Sequence, residues 1–155
     1  MDVLVFEVGG IRYALPAAEV REIVRAVTIV PLPTAPAMVE GLINVRGEVV
    51  PVLDVRSPFR LPAKPLTHTD HLVLAWAGPR LVAVRADRAL DLIRVQPGSI
   101  DDARMGGPGA DCVAGVATVS DGLVLIHDLR AFLDDAEAAA LDNAMATDAS
   151  PGSPA

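Results

Sequence analysis

The sequence predicts a β-rich chain with short helices, built from two similar halves, and three observations carry that expectation. The apolar runs are short: Val3 to Phe6 and Leu123 to Ile126 have the length of buried strands, far from the roughly 20 residues of a membrane-crossing helix. Aromatic residues make up 3% of the 155 positions although 52% are hydrophobic. Val, Leu, Ile and Ala must therefore fill the core, which suits a pleated sheet. The third observation is an internal repeat. Leu4, Val5, Gly10 and Arg12 recur as Leu72, Val73, Gly78 and Arg80, sixty-eight positions on (72 − 4). Gly41, Val45, Val50, Asp54 and Arg56 recur as Gly115, Val119, Val124, Asp128 and Arg130, seventy-four positions on (115 − 41). A single duplication fits this better than a solenoid, whose period would be shorter. The difference between the spacings implies an insertion in the loop from about Pro97 to Asp111.

The elements follow in order. Val3 to Val8 and Ile11 to Leu15, joined by Gly9-Gly10, read as a β-hairpin. Pro16 ends it, and Val20, Ile23 and Val24 fall at i, i+3 and i+4, predicting a short helix over 17–24 with Glu22 on its charged face. Val27 to Val30 reads as a strand before the extended Pro31, Pro33 and Pro36 segment. Gly41 to Asp54 reads as a second hairpin turning at Arg46-Gly47. Pro51 inside its return strand predicts an edge or a bulge, because proline cannot donate to a ladder. Ser57 to Asp70, with three prolines, is the connector between halves. After the last hairpin, Leu129 to Met145 reads as a helix with a stripe of Leu133, Ala136, Ala140, Leu141, Ala144 and Met145. Thr147 to Ala155 has the composition of a disordered tail.

Several function classes are disfavoured. The net charge of −7 repels phosphate backbones. Asp2 and an apolar run follow Met1 directly, without the basic region of a secretory leader, and the lone Cys112 has no disulfide partner; a cytoplasmic protein is expected. Gly106-Gly107-Pro108-Gly109 lacks the Lys-Ser or Lys-Thr of a phosphate-binding loop. His68-Thr69-Asp70-His71 sits in the connector without a further ligand group and reads as exposed loop polarity. Cys112 has no neighbouring base, and Asp128 after His127 is explained as a helix cap. Asp101-Asp102 and Asp134-Asp135 read as loop and helix-start residues. No cofactor or metal is expected. The polar residues that remain suit protein–protein docking. Arg46, beside the turn glycine Gly47, should project its guanidinium where a carboxylate can bind it bidentately.

The combination Phe6-Glu7-Val8-Gly9-Gly10, Tyr13-Ala14-Leu15-Pro16, Val20-Arg21-Glu22-Ile23 and Pro33-Thr34-Ala35-Pro36 resembles the CheW-like family. The most specific part is Asn44-Val45-Arg46-Gly47 leading to Pro51-Val52-Leu53-Asp54-Val55-Arg56, and the likeness continues through Gly115 to Leu133. The resemblance implies two intertwined five-stranded barrels of the small Src-homology type. These form a single domain over 1–146, with subdomains at about 11–70 and 71–127 that exchange terminal segments. It implies a non-catalytic adaptor that couples the cytoplasmic tip of a methyl-accepting chemoreceptor to the regulatory domain of a CheA-type histidine kinase, recruited to membrane-associated receptor arrays. The receptor-facing residues it implies are Val20, Glu22, Gly41, Arg46 and Leu92. The kinase-facing residues are Arg46, Val45, Val49 and Val52. A competitor that binds receptor or kinase without activating it shares every motif, whereas a small-molecule or enzymatic barrel would need convergent polar groups that the sequence does not show.

Composition also makes a prediction about the C-terminus. Deleting Asp148 to Ala155 should leave the melting temperature unchanged, because those residues cannot bury a core; a large drop on thermal denaturation would overturn it.

Overall fold

The computed structural model describes residues 1–102, 109–120 and 122–148. The first half of the chain forms β1 (Asp2–Val8), β2 (Ile11–Pro16), β3 (Val20–Arg25), β4 (Val39–Val45) and β5 (Glu48–Leu53). The second forms β6 (His71–Ala77), β7 (Arg80–Ala86), β8 (Arg88–Arg94), the short β9 (Ile100–Asp102), β10 (Val113–Val119), β11 (Gly122–His127) and the helix α1 (Asp135–Asp148). They assemble into two sheets, one ordered β8-β1-β2-β11-β10-β9 and the other β3-β6-β7-β5-β4.

Neither sheet belongs to one half. β3 leaves its own hairpin to pair with β6, and β8 pairs with β1. In the middle of each sheet a parallel contact joins hairpins from different halves: β2 to β11 through Tyr13↔Leu125 and Ala14↔Ile126, and β5 to β7 through Val52↔Ala83 and Leu53↔Val84. The sheets therefore do not follow a division near residue 70. One is built from residues 20–86, the other from 2–16 and 88–127.

The register corrects the repeat. Gly9-Gly10 turns the first hairpin and Gly78-Pro79 its counterpart, so equivalent residues lie sixty-nine apart (78 − 9), one more than the sequence identities suggest. The burial pattern agrees. Val3 and Val5 lie in one small core with Ala117, Val124 and Ile126, while their equivalents Leu72 and Leu74 lie in the other with Ile43, Val50 and Val52. Leu4 and Phe6, like Val73 and Ala75, face a larger core shared between the sheets. A slip of one residue would reverse every one of these faces. The second hairpin keeps its spacing of seventy-four, from the Arg46-Gly47 turn to that after Val119. Asp121 and part of the insertion loop, 103–108, including Gly106 to Pro108, lie outside the described residues.

Other expectations change. Residues 17–19 make one 3₁₀ turn, and Val20–Arg25 is a strand whose side chains alternate between half-buried and exposed. Its helix-like spacing of Val20, Ile23 and Val24 is overridden because β6 offers a ladder to a segment rich in β-branched residues. Val27 to Val30 contributes only the bridge Val30↔Leu42. β5 is an internal strand, but Pro51 is opposite Leu42 and the ladder to β7 begins at Val52, so no bond to β7 is lost at the proline. The bulge lies in β4, between Val39 and Gly41. The C-terminal helix divides into a 3₁₀ turn at Leu129–Phe132 and α1. Asp134 and Glu137 cap α1 reciprocally, each carboxylate accepting the other's backbone N–H at 2.7 and 3.1 Å. Leu141 and Ala144 are buried, whereas Ala136 and Ala140 are exposed. α1 runs to Asp148, so the first two residues of the expected tail are helical, and 149–155 lie outside the described residues.

The connector is held by charge. Asp70 is buried rather than exposed; its carboxylate accepts from the Thr67 N–H at 3.0 Å and the Lys64 ammonium at 3.2 Å, and faces Arg85 at 3.6 Å. Arg85, also buried, pairs with Glu40 of β4 at 2.7 Å and donates to the Lys64 carbonyl at 2.7 Å. Lys64 reaches Asp87 as well, at 3.3 Å, and Asp87 in turn binds the Arg56 guanidinium. Burial alone would raise the Asp70 and Asp87 carboxyls, but backbone N–H donors and these cations outweigh it and hold both below the usual range.

Phe59 of the connector enters an aromatic cluster with Phe6, Tyr13, Phe132 and His127, the His127 ring lying 4.5 Å from that of Tyr13. Both His127 nitrogens are buried and have no hydrogen-bond partner among the described residues, and burial pushes its pKa down to about 3. The unfolded chain takes up a proton near the ordinary value of 6.5 while the folded chain does not. Stability should therefore fall as pH drops from 6.5 toward 3, by about 1.4 kcal/mol per pH unit. Urea denaturation of the wild type and His127→Leu at pH 7.5, 6 and 5 checks this. The slope should flatten in the variant, and an unchanged slope would assign the acid sensitivity to another group.

Candidate functional site

The β4–β5 turn is built for an exposed cation. Arg46 (φ 51°) and Gly47 (φ 86°) both adopt left-handed backbone, the geometry of a two-residue hairpin turn. The Asn44 side chain accepts the Gly47 N–H at 2.8 Å and fixes that turn, which explains the Asn-x-Arg-Gly order. The Arg46 side chain is 66% exposed and its guanidinium reaches Glu22 on β3 at 2.5 Å. Arg21 pairs with both Glu22, at 3.2 Å, and Glu48, at 2.7 Å. Four alternating charges thus bridge the edge strand β3 to the β4–β5 tip. The hydrogen bond from Arg46 holds the Glu22 carboxyl below its usual range, and that from Arg21 does the same for Glu48. Both acids are anionic at neutral pH, and two guanidinium groups are oriented at the surface, ready to share a further carboxylate.

The structure brings Glu22 and Arg46 together, with Glu22 on a strand rather than a helix. It adds Arg21 and Glu48, whose roles depend on β3 lying beside the tip, a neighbourhood with no local signal. Val20 is half-buried against the shared core, opposite Ala75. Leu92 is 59% exposed on β8, in the other sheet. Among the three valines, only Val49 offers surface, at 48% exposed. Val45 and Val52 are buried in the small core of the five-stranded sheet, because the alternation that exposes Val49 turns them inward. Gly41 is buried too: a Cβ there would lie 2.4 Å from the Val30 carbonyl oxygen, so glycine is what lets the segment before β4 cross it.

Among the described residues no group of three or more His, Cys, Asp or Glu side chains could hold a metal. Burial pushes the Cys112 thiol up to about 11, so it is protonated at neutral pH. Asp128 caps the 3₁₀ turn by accepting the Arg130 N–H at 3.2 Å, and it does not orient His127, whose nitrogens have no partner among the described residues.

The close approach at Gly41 generates a test of its own. Gly41→Ala should cost about 1–3 kcal/mol of stability, the range for overpacking a filled site, read as a lowered urea midpoint. An unchanged midpoint would show that Val30 gives way freely.

The chain is similar to the protein FrzA of Myxococcus xanthus, at 32% identity over 105 residues, 68% of this chain and 66% of FrzA. It is similar to the chemotaxis protein CheW of Treponema pallidum, at 25% identity over 148 residues, 92% of this chain and 87% of that protein. In fold it matches the scaffolding protein TtCheW from Thermoanaerobacter tengcongensis with a TM-score of 0.79 and 23% identity, covering 88% of this chain and 94% of that one. A model of the CheW-like domain matches residues 2–137, and the chain belongs to that family.

Proposed function

We propose that residues 1–146 act as one non-catalytic adaptor domain that couples a chemoreceptor's cytoplasmic tip to the regulatory domain of a CheA-type histidine kinase. The observation that carries this reading is the Arg46–Glu22–Arg21–Glu48 cluster: a rigid turn presents charged side chains outward, where a partner can complete their hydrogen bonding. The names of its relatives, chemotaxis proteins CheW, support a signalling role. The buried, neutral His127 and the protonated Cys112 offer no nucleophile or base at a surface cleft, which supports an adaptor rather than an enzyme. No helix among the described residues is long and apolar enough to cross a membrane, in keeping with a cytoplasmic adaptor that reaches receptor arrays through its partners. Arg46 serves both contacts, Val20, Glu22 and Leu92 the receptor, and Val49 the kinase. Gly41 keeps the β4 edge in shape for the receptor contact.

Kinase autophosphorylation, reconstituted with receptor and with or without this protein, tests the proposal. A rise that needs all three components is expected. Loss of activity on adding the protein would instead mean a competitor, and no binding to either partner would sink both readings.

Arg46→Ala and Glu22→Ala should fold normally yet weaken partner binding by about tenfold or more, one step or more on the affinity scale, in calorimetry with each partner. Arg46→Lys should not restore affinity fully if the partner carboxylate is held bidentately. Arg46→Gly should melt a few degrees above Arg46→Ala, because glycine occupies the left-handed position without steric cost, while binding as poorly. Equal affinity of all four variants and the wild type would return the cluster to an ordinary solvated turn.

A further inference from the structure

The two halves differ in chemistry at one set of equivalent positions. Between β7 and β8, Asp87 accepts the Gly9 N–H at 2.8 Å through Oδ2, while its Oδ1 binds the Arg56 guanidinium. Gly9 opens the β1–β2 turn, and Arg56 follows β5 in the sequence Asp54-Val55-Arg56, where Asp54 accepts the Arg56 N–H at 3.0 Å. In the other half Gly9 corresponds to Gly78 and Asp87 to Ala18, sixty-nine positions apart, and Arg56 corresponds to Arg130, seventy-four apart. Asp128 accepts the Arg130 N–H at 3.2 Å, so both arginines leave the chain from the same kind of turn. The glycine and the arginine are repeated, but alanine stands where the first arrangement has its carboxylate.

Ala18, Glu19, Trp76, Gly78, Asp128 and Arg130 line a cleft of about 420 Å³. The Arg130 Nε would lie 2.9 Å from a Cβ on Gly78, so the guanidinium lies directly over the turn glycine. Among the described residues that guanidinium makes no hydrogen bond or ion pair. Trp76, 40% exposed, adds an apolar wall.

We infer that this cleft docks a carboxylate from a partner polypeptide, an Asp or Glu side chain. It would be held by the Arg130 guanidinium and the Gly78 N–H, as Asp87 is held in the other half. The ring of Trp76 covers the methylene stem of the incoming acid. Asp128 is occupied by its cap. Glu19 is the like charge the ligand meets, and burial followed by the Asp128 charge already pushes its carboxyl up, with Arg130 opposing. A local acid disfavoured as an anion is a weak competitor for the arginine. The cleft is separate from the Arg46 cluster, lying at the β6–β7 turn rather than the β4–β5 turn.

Amide NMR of the whole chain, together with fluorescence of Trp76, the only tryptophan, tests it with N-acetyl-glutamate N-methylamide as probe. The glutamine analogue is the uncharged control. A saturable shift of the Gly78 amide and a change in Trp76 emission are expected for the acid and not for the control. Arg130→Gln should lose about tenfold or more in affinity, the scale of one charge-assisted hydrogen bond. Glu19→Gln should bind more tightly, and Arg46→Ala should bind as the wild type does. Ala18→Asp restores an internal carboxylate; it should move the Gly78 amide without any probe and abolish binding. Equal responses to acid and control, or full affinity in Arg130→Gln with a native spectrum, would overturn the assignment. Arg130 is an exposed residue, so that variant decides the matter even if Ala18→Asp fails to fold.

Discussion

The parallel contacts β2–β11 and β5–β7 are the constraint on which the rest of the structure depends. Each joins hairpins that lie far apart in sequence, and each sheet is extended by a strand from the opposite half, β8 on β1 and β3 on β6. A half-chain alone would leave its strands unpaired along these edges, with backbone groups that must find partners when buried. The exchange also sets the core. The larger apolar cluster takes Leu4, Phe6 and Tyr13 from one hairpin and Val73, Ala75 and Val82 from the other, so both must be in place before it can form. Contacts so distant in sequence predict slow folding relative to a helical chain of similar length.

Exchange makes the connector structural. Residues 57–70 join β5 to β6 of one sheet, and the alternating chain Glu40, Arg85, Asp70, Lys64, Asp87 and Arg56 ties them to β4, to β7 and to the turn between β7 and β8. The Gly9 N–H brings the first turn into the same network. Buried ion pairs are poor stabilisers when compared with apolar packing, but each partner is strongly destabilising to remove because it leaves an uncompensated charge. Phe59 adds the apolar counterpart by entering the cluster around His127. The network thus fixes how a proline-rich segment lies.

Duplication supplied two hairpin tips, and the side chains made them different. The tip with Arg46 and Glu48 reaches Arg21 and Glu22 on β3, whereas the equivalent positions on the other tip and β8 hold Ser120, Gly122, Leu90 and Asp91. The Asp91 carboxylate accepts a local N–H from Leu92 at 2.8 Å. One copy of the motif therefore carries a cluster of arginine–carboxylate pairs, and the other has no cation at the equivalent positions. The same divergence, with Asp87 in one half and Ala18 in the other, distinguishes the two arginines of the repeated Asp-x-Arg segments.

The sequence by itself determined the strand-rich class, the two hairpins in each half, the Arg46-Gly47 turn and the cap at Asp128. Each of these is written within a few neighbouring residues, through turn glycines, alternation or a side chain bonding to its own backbone. The family resemblance rested on the same local motifs. Only the tertiary structure decided that Val20–Arg25 is a strand, that the first hairpins match one residue out of step with their identities, and that Asp70 is buried. It also decided that Val45 and Val52 face inward and that Arg21 and Glu48 join Glu22 and Arg46. Those outcomes depend on which strand lies alongside, and that neighbour is tens of residues away, from the other half of the chain for Val20–Arg25 and from the β4–β5 tip for Arg21 and Glu22; hydrophobic periodicity and turn chemistry carry no information about such pairing.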